Sequence, residues 1–135
     1  MKELEYPFDA AYIIKKRKSL KKALLADGTS RIRKKIAVFG GSTTSDIVKT
    51  LELFLLDAGI EPEFYESEYA QYFQDAMFPD ETLLSFKPDI VFIHTTNRNV
   101  TDWPEMTDTT EQIDEKLHTE INRFTAMWKS IAEKF

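Results

Sequence analysis

Two glycines and a cluster of hydroxyl side chains follow the first strongly apolar stretch of the chain. The stretch Ile36–Phe39 runs directly into Gly40, Gly41, Ser42, Thr43, Thr44 and Ser45. A serine hydroxyl in a tight loop can act as a nucleophile when a base lies beside it. Glycines allow a tight turn and a close approach of the backbone to a ligand. The chemistry to look for is nucleophilic attack, or binding of an anion or carbonyl oxygen.

A second polar segment follows another apolar stretch, Ile90–Ile93, and reads His94, Thr95, Thr96, Asn97, Arg98, Asn99. An asparagine amide and backbone N–H groups can bind an oxyanion. We therefore expect a ligand between the two segments, with Ser42 and Asn97 as the reactive pair. The other candidate ligand-binding residues are Gly40, Gly41, Thr43, Thr44 and Asn99.

A base for Ser42 is not evident in the sequence, which contains only two histidines. His94 is interpreted as a satisfied core residue, and His118 falls beside the apolar side of the last helix. No carboxylate pair or histidine cluster has metal-ligand spacing, so no metal site is expected.

The glycine loop matches none of the standard phosphate or nucleophile loops. It lacks G-x-G-x-x-G and the lysine of G-x-x-x-x-G-K-[ST]. Thr44 stands where G-x-S-x-G requires its second glycine. The alternative interpretation is that the hydroxyls only cap the helix that follows.

The elements that position these loops alternate between helix and strand. Helices are predicted near residues 9–26, 46–58, 69–77, 80–86 and 110–133, and strands near 36–39, 63–67 and 90–93. Right-handed crossovers place such helices on both faces of a parallel sheet. The predicted fold class is a three-layer αβα sandwich, flavodoxin- or SGNH-like, with strand order 2-1-3. Both loops then lie at the carboxyl edge of neighbouring strands.

The last helix and the third strand carry the clearest apolar patterns. Steps of four, four, three, four and three predict an amphipathic helix that buries Ile113, Leu117, Ile121, Phe124, Trp128 and Ile131. The third strand is as apolar as an interior strand, yet no fourth strand follows. We expect a fold that is incomplete at its C-terminus, or a homodimer formed through the third-strand edge.

Composition sets the remaining limits. A chain of 135 residues is expected to form one domain, residues 1–135, of which 1–28 contain a basic helix. The net charge of -5 argues against nucleic acid as a partner. The absence of cysteine and of any membrane-spanning or signal segment favours the cytoplasm. The lysines of the basic helix form either a solvated face or a patch for an acidic partner.

Several segments resemble one known family. They are Phe39–Thr44, Leu55–Pro62, Phe64–Tyr69, Phe86–Asp89 and Asn97–Asn99. Together they are similar to the amino-terminal region of FkbH-like proteins, phosphatases of haloacid-dehalogenase subfamily IIIC. The resemblance implies an SGNH (GDSL-type) fold that precedes a phosphatase domain, with Ser42 as the block-one serine and Asn97 as the block-three asparagine.

The resemblance also implies a function and partners. Members of the family load a glyceryl unit onto a carrier protein or serve surface-polysaccharide synthesis, so the expected partners are a downstream phosphatase domain or a carrier protein. Gly41 stands where SGNH hydrolases carry the aspartate of their G-D-S block, and the D-x-x-H and D-x-D-x-T motifs are absent. Mg²⁺ would therefore belong to a phosphatase domain outside these residues. The expected function is binding without catalysis; the alternatives are a Ser42 esterase or acyltransferase and a pure interaction module.

Overall fold

The three apolar stretches of the sequence form one parallel sheet in the order β2-β1-β3. The structure is a computed structural model that describes all 135 residues. The strands are β1 Ile32–Gly40, β2 Ile60–Glu66 and β3 Ile90–His94. The α-helices are α1 Ala10–Ala26, α2 Ser45–Asp57, α3 Tyr72–Met77, α4 Glu81–Phe86 and α5 Thr110–Lys134. Short 3₁₀ helices span Lys2–Leu4 and Asn97–Asn99.

Strand β1 is the central strand of the sheet, and its apolar run is buried on both faces. Residues Ile36 to Gly40 are all buried. In the parallel register, Ile36 lies between Phe64 of β2 and Ile90 of β3. A continuous apolar run is typical of such a doubly covered strand. The predicted fold class and strand order are confirmed.

Alternate residues of β1 face different helical layers. Ile36 and Val38 pack with Val48 of α2 on one face. Ala37 and Phe39 pack on the other face with the core of α3, α4 and α5, which includes Met127. The sheet therefore lies between two layers of helices.

Helix α1 packs against α2 through an apolar cluster that contains no strand residue: Leu4, Ile13, Leu20, Leu24, Leu53 and Leu56. Arg31 lies just before β1 and donates to Leu24 O at 2.7 Å and to Leu56 O at 2.8 Å. It thereby satisfies carbonyl groups at the C-terminal ends of both helices.

Helix boundaries follow local capping chemistry. Asp9 accepts a hydrogen bond from Tyr12 N–H at 3.0 Å, and Asp80 accepts one from Leu83 N–H at 2.8 Å. Both carboxylates occupy N-cap positions, where they satisfy backbone N–H groups of the first helical turn. Gly59 has a φ of +81° directly after α2, a left-handed conformation that glycine adopts without steric penalty. None of the helices combines the length and the hydropathy that crossing a membrane would require.

The predicted buried side of α5 is wrong for four of its six residues. Ile113, Leu117, Ile121 and Trp128 are 39–56% exposed. The buried residues of α5 are instead Glu120, Met127 and Ser130. The helix is rotated so that this polar-containing side meets α3, where Ser130 donates to Ala76 O at 2.8 Å. On β3, Ile90 and Phe92 are also exposed.

Candidate functional site

The two polar loops meet at the carboxyl edge of the sheet. Gly40, the last residue of β1, is paired in register with His94, the last residue of β3. Gly41 N–H donates to His94 O at 2.8 Å. Because this bond extends the strand pairing past the sheet, the loop after β1 and the loop after β3 lie side by side.

Asn99 joins the two loops through its side chain. Its Nδ2 donates to Gly41 O at 3.0 Å, and its Oδ1 accepts from Thr96 N–H at 2.8 Å. A Cβ at Gly41 would lie 2.3 Å from both Nδ2 and Oδ1 of Asn99. Position 41 therefore accommodates only glycine, and the Asn99 amide is engaged within the chain.

Gly40 and Thr44 form the inner wall of the glycine loop. A Cβ at Gly40 would lie 2.5 Å from Thr44 Cγ2 and 2.8 Å from Ser42 O. Thr44 is buried, and its hydroxyl donates to Glu66 Oε2 at 3.0 Å. This bond ties the loop to β2, so the Thr44 hydroxyl is already used within the protein.

The N-terminus of α2 has no side-chain cap. Thr44 occupies the N-cap position, yet no side chain accepts a hydrogen bond there. The first helical bond runs from Val48 N–H to Thr44 O at 2.9 Å. The N–H groups of residues 45–47 are consequently left without helical partners, at the positive end of the helix dipole.

An ion pair offsets the negative charge nearest to this helix end. Arg17 of α1 donates to Asp46 Oδ1 at 2.8 Å. The hydrogen bond from Arg17 lowers the pKa of Asp46, which is therefore ionised at neutral pH. Because its charge is paired, Asp46 repels an incoming anion less than an isolated carboxylate would.

The side chains with the best access to a ligand are those of Ser42, Thr43 and Asn97. Ser42 is half-buried, and Thr43 and Asn97 are exposed. Asn97 begins the 3₁₀ helix, whose start is fixed by reciprocal hydrogen bonds between Thr96 and Asn99. The structure thus places Ser42 and Asn97 on adjacent loops, and their catalytic role stays a prediction.

His94 has a feature that the sequence did not reveal. Its Nδ1 is buried and has no hydrogen-bond partner. Its ring centroid lies 6.4 Å from that of Phe92, which is on the same face of β3. The prediction of a satisfied core histidine is therefore wrong. A buried polar nitrogen without a hydrogen-bond partner is costly and is rare in folded proteins.

A buried polar network supports the loop after β3 from behind. Arg123 of α5 donates to Asn99 O at 2.6 Å, to Tyr72 Oη at 2.9 Å and to Glu120 Oε2 at 2.8 Å. Tyr72 Oη also donates to Asn99 O at 3.4 Å. The network fixes the backbone of Asn99 to both α3 and α5.

Glu120 is the anionic centre of this network. Burial alone would raise the pKa of Glu120, but hydrogen bonds from Arg123 and Thr101 outweigh burial and lower it to about 2. Thr101 N–H donates to Glu120 Oε1 at 3.1 Å. Neither Glu120 nor Arg123 could be singled out from the sequence, because both residues lie outside the apolar stripe of α5.

The largest cavity lies away from these loops. It has a volume of about 710 Å³ at the amino ends of the strands and is lined by Arg33, Lys34, Lys35, Glu61, Pro62, Glu63, Lys87 and Asp89. Its basic and acidic side chains largely offset one another, and ligands of open parallel sheets bind at the carboxyl edge. Across the chain, no three His, Cys, Asp or Glu side chains are grouped so that they could hold a metal ion.

Comparison with known proteins gives one structural likeness. No protein-family model matches the sequence, and a search of the curated proteins found no relative. The fold is similar to the crystal structure of the N-terminal part of the protein BF1531 from Bacteroides fragilis, which contains a phosphatase domain and is complexed with Mg. The TM-score is 0.61 at 19% identity over 82% of this chain. This chain spans 29% of that structure's length, and the likeness establishes a shared fold.

Proposed function

We propose that this chain is the SGNH-like region of an FkbH-like protein and binds a substrate or a carrier-bound group without catalysing its reaction. The bound group is an anion or carbonyl oxygen, held between Gly41, Ser42 and Thr43 on one side and Asn97 on the other. The reaction served is glyceryl or acyl transfer, or phosphatase chemistry, in polyketide or surface-polysaccharide biosynthesis. The observation that carries the proposal is the uncapped N-terminus of α2 beside free hydroxyl and amide side chains.

Three features of the crevice favour an oxygen ligand. The unpaired N–H groups at the start of α2 are hydrogen-bond donors at a positive dipole end. Ser42, Thr43 and Asn97 add side-chain donors that have access to solvent. Arg17 offsets the charge of Asp46. A neutral carbonyl or a singly charged carboxylate suits this site better than a phosphate dianion, because the donors proposed here are hydroxyl, amide and backbone N–H groups and none is a cation.

The similarity in fold supports the kind of protein in which we propose that this chain acts. The similar crystal structure from Bacteroides fragilis contains a phosphatase domain and Mg. By analogy, a phosphatase-type domain carried by a longer protein or by a partner would supply the metal and the chemistry. The role of this chain is to hold and orient the oxygen-bearing end of the substrate.

Titration of the isotope-labelled chain with glycerate, acetate, phosphate and sulfate tests the binding. We expect backbone amides of residues 40–46 and the Asn97 side-chain amide to shift, with a dissociation constant of about 1 mM for glycerate. Ser42→Ala and Asn97→Ala should each weaken binding several-fold. Ser85→Ala and Asn122→Ala, at exposed sites on α4 and α5, are the matched controls. Absence of shifts with all four anions would show that the crevice is only structural.

The second candidate function is a serine esterase, and the unpaired Nδ1 of His94 is the observation that favours it. A serine without a correctly placed base loses reactivity on the order of 10⁴-fold. We therefore expect no turnover of p-nitrophenyl acetate above the buffer rate. Turnover that disappears in both Ser42→Ala and His94→Gln would replace the binding function with an esterase.

A further inference from the structure

Strand β3 presents an unpaired backbone edge. Asp89 N–H donates to Lys35 O at 2.8 Å, at the start of the β1–β3 pairing. Gly41 N–H donates to His94 O, and bonded residues alternate along a parallel pair. In the register of β1 and β3, Ile90 and Phe92 therefore direct their N–H and C=O groups to β1, and those of Val91 and Ile93 point away from it. No charged residue or proline occupies Ile90–Ile93, the features that normally protect an exposed edge from pairing.

Apolar side chains flank this edge on both faces of the sheet. Val91 and Ile93 pack toward the α3–α5 layer, so Ile90 and Phe92 face the opposite side. Both are exposed, at 49% and 37%. On the face of the sheet that α5 covers, four apolar side chains of α5 are exposed. We call them the α5 stripe: Ile113, Leu117, Ile121 and Trp128.

The α5 stripe and the β3 edge lie on the same side of the molecule. The side of α5 that meets α3 carries Arg123, Met127 and Ser130. Ile121 and Trp128 lie about 100° or more around the helix from Met127, away from α3. Val91 and Ile93 of β3 pack against the cluster that contains Met127 of α5, so α5 lies beside β3 and the α5 stripe is exposed near the free edge.

We propose that the β3 edge and the α5 stripe form a two-fold interface with a second copy of this chain. Antiparallel pairing of the two β3 strands would create a continuous six-stranded sheet. The same rotation would bring the two α5 stripes together above it. A two-fold axis pairs a patch with itself, so strand length and apolar character match between the copies.

The size of the patch agrees with a specific dimer. The exposed parts of Ile90, Phe92 and the α5 stripe amount to on the order of 600 Å² of side-chain surface. Addition of the strand backbone brings each partner near the roughly 800 Å² of a standard interface.

Sedimentation velocity of the full chain from about 1 to 200 μM tests the interface. We expect wild type to dimerise and Ile121→Glu to weaken dimerisation at least tenfold. Leu25→Glu on α1 is the matched control, because Leu25 and Ile121 are both 52% exposed. A wild type that stays monomeric throughout, or an Ile121→Glu variant that dimerises as tightly as Leu25→Glu, overturns the proposal.

Hydrogen exchange distinguishes strand pairing from helix contact alone. In the proposed dimer, the amides of Val91 and Ile93 become protected as concentration rises, and Ile121→Glu removes that protection. A dimer in which both amides exchange as fast as in the monomer uses a different surface. Neither result depends on a ligand in the crevice, so the interface and the proposed function can fail separately.

Discussion

Replacing Arg123 with methionine is expected to lower the free energy of unfolding by about 3–5 kcal/mol. The guanidinium contacts Glu120, Tyr72 and the carbonyl of Asn99, and Glu120 is only 8% exposed. The variant would leave an ionised carboxylate and a backbone carbonyl buried without their main donor, which costs more than the loss of a solvated ion pair.

Urea unfolding monitored by circular dichroism measures this effect. The matched control is Lys129→Met, which removes an exposed positive charge from the same helix and should change stability by less than about 0.5 kcal/mol. Equal stability of Arg123→Met and Lys129→Met would mean that the network does not hold the loop after β3.

The same network predicts how stability depends on pH. The pKa of Glu120 is lowered in the folded protein to about 2, from an ordinary value of 4.5. A lowered folded-state pKa stabilises the protein above the unfolded-state pKa, and the stabilisation is lost as the pH falls through the folded-state value. Glu120 thus contributes fully above about pH 5.5, and roughly 3 kcal/mol is lost between there and pH 2.

Glu120→Gln tests this assignment because it removes the titration and keeps the shape of the side chain. The difference in stability between wild type and Glu120→Gln should shrink as the pH is lowered from 6 to 2. A difference that stays constant over this range would assign the acid sensitivity to other carboxylates.

The order of elements could be predicted from sequence because each strand of the sheet is marked by a local residue pattern. Ile36–Phe39 and Ile90–Ile93 are continuous apolar runs, which are typical of parallel strands. Asp9, Asp80 and Gly59 mark helix ends through bonds made within one turn. Strand order then follows from crossover handedness, and the convergence of the two polar loops follows from strand order.

The contacts around the site could not be predicted, because they join residues far apart in the chain. Asn99 bonds to Gly41 across 58 positions, and Arg123 reaches Tyr72 across 51. The apolar period of α5 showed that one side is hydrophobic and could not show what covers it. Polar contacts from Arg123 to Tyr72 and from Ser130 to Ala76 hold instead the other side of the helix against α3.

Gly41→Ala is expected to destabilise the protein by about 2–4 kcal/mol. The new Cβ would lie 2.3 Å from the Asn99 amide atoms, which is closer than side chains approach one another. Asn99 cannot move aside without breaking its bonds to Gly41 O and Thr96 N–H. Gly28→Ala is an informative comparison, because Gly28 has a φ of +72° and no atom near its Cβ position. Gly28→Ala should lower the free energy of unfolding by about 1 kcal/mol, through backbone strain alone.

A double-mutant cycle with Asn99→Ala isolates the cause. With the amide removed, Gly41→Ala should cost no more than about 1 kcal/mol, which gives a coupling energy of roughly 1–3 kcal/mol. Chemical denaturation of the four proteins gives the coupling, and amide spectra of residues 40–46 show whether the loop has moved. If Gly41→Ala costs the same with and without Asn99, the contact does not determine the residue at position 41. If the cycle couples, the glycine at position 41 has a physical cause, since Asn99 occupies the space that any side chain there would need.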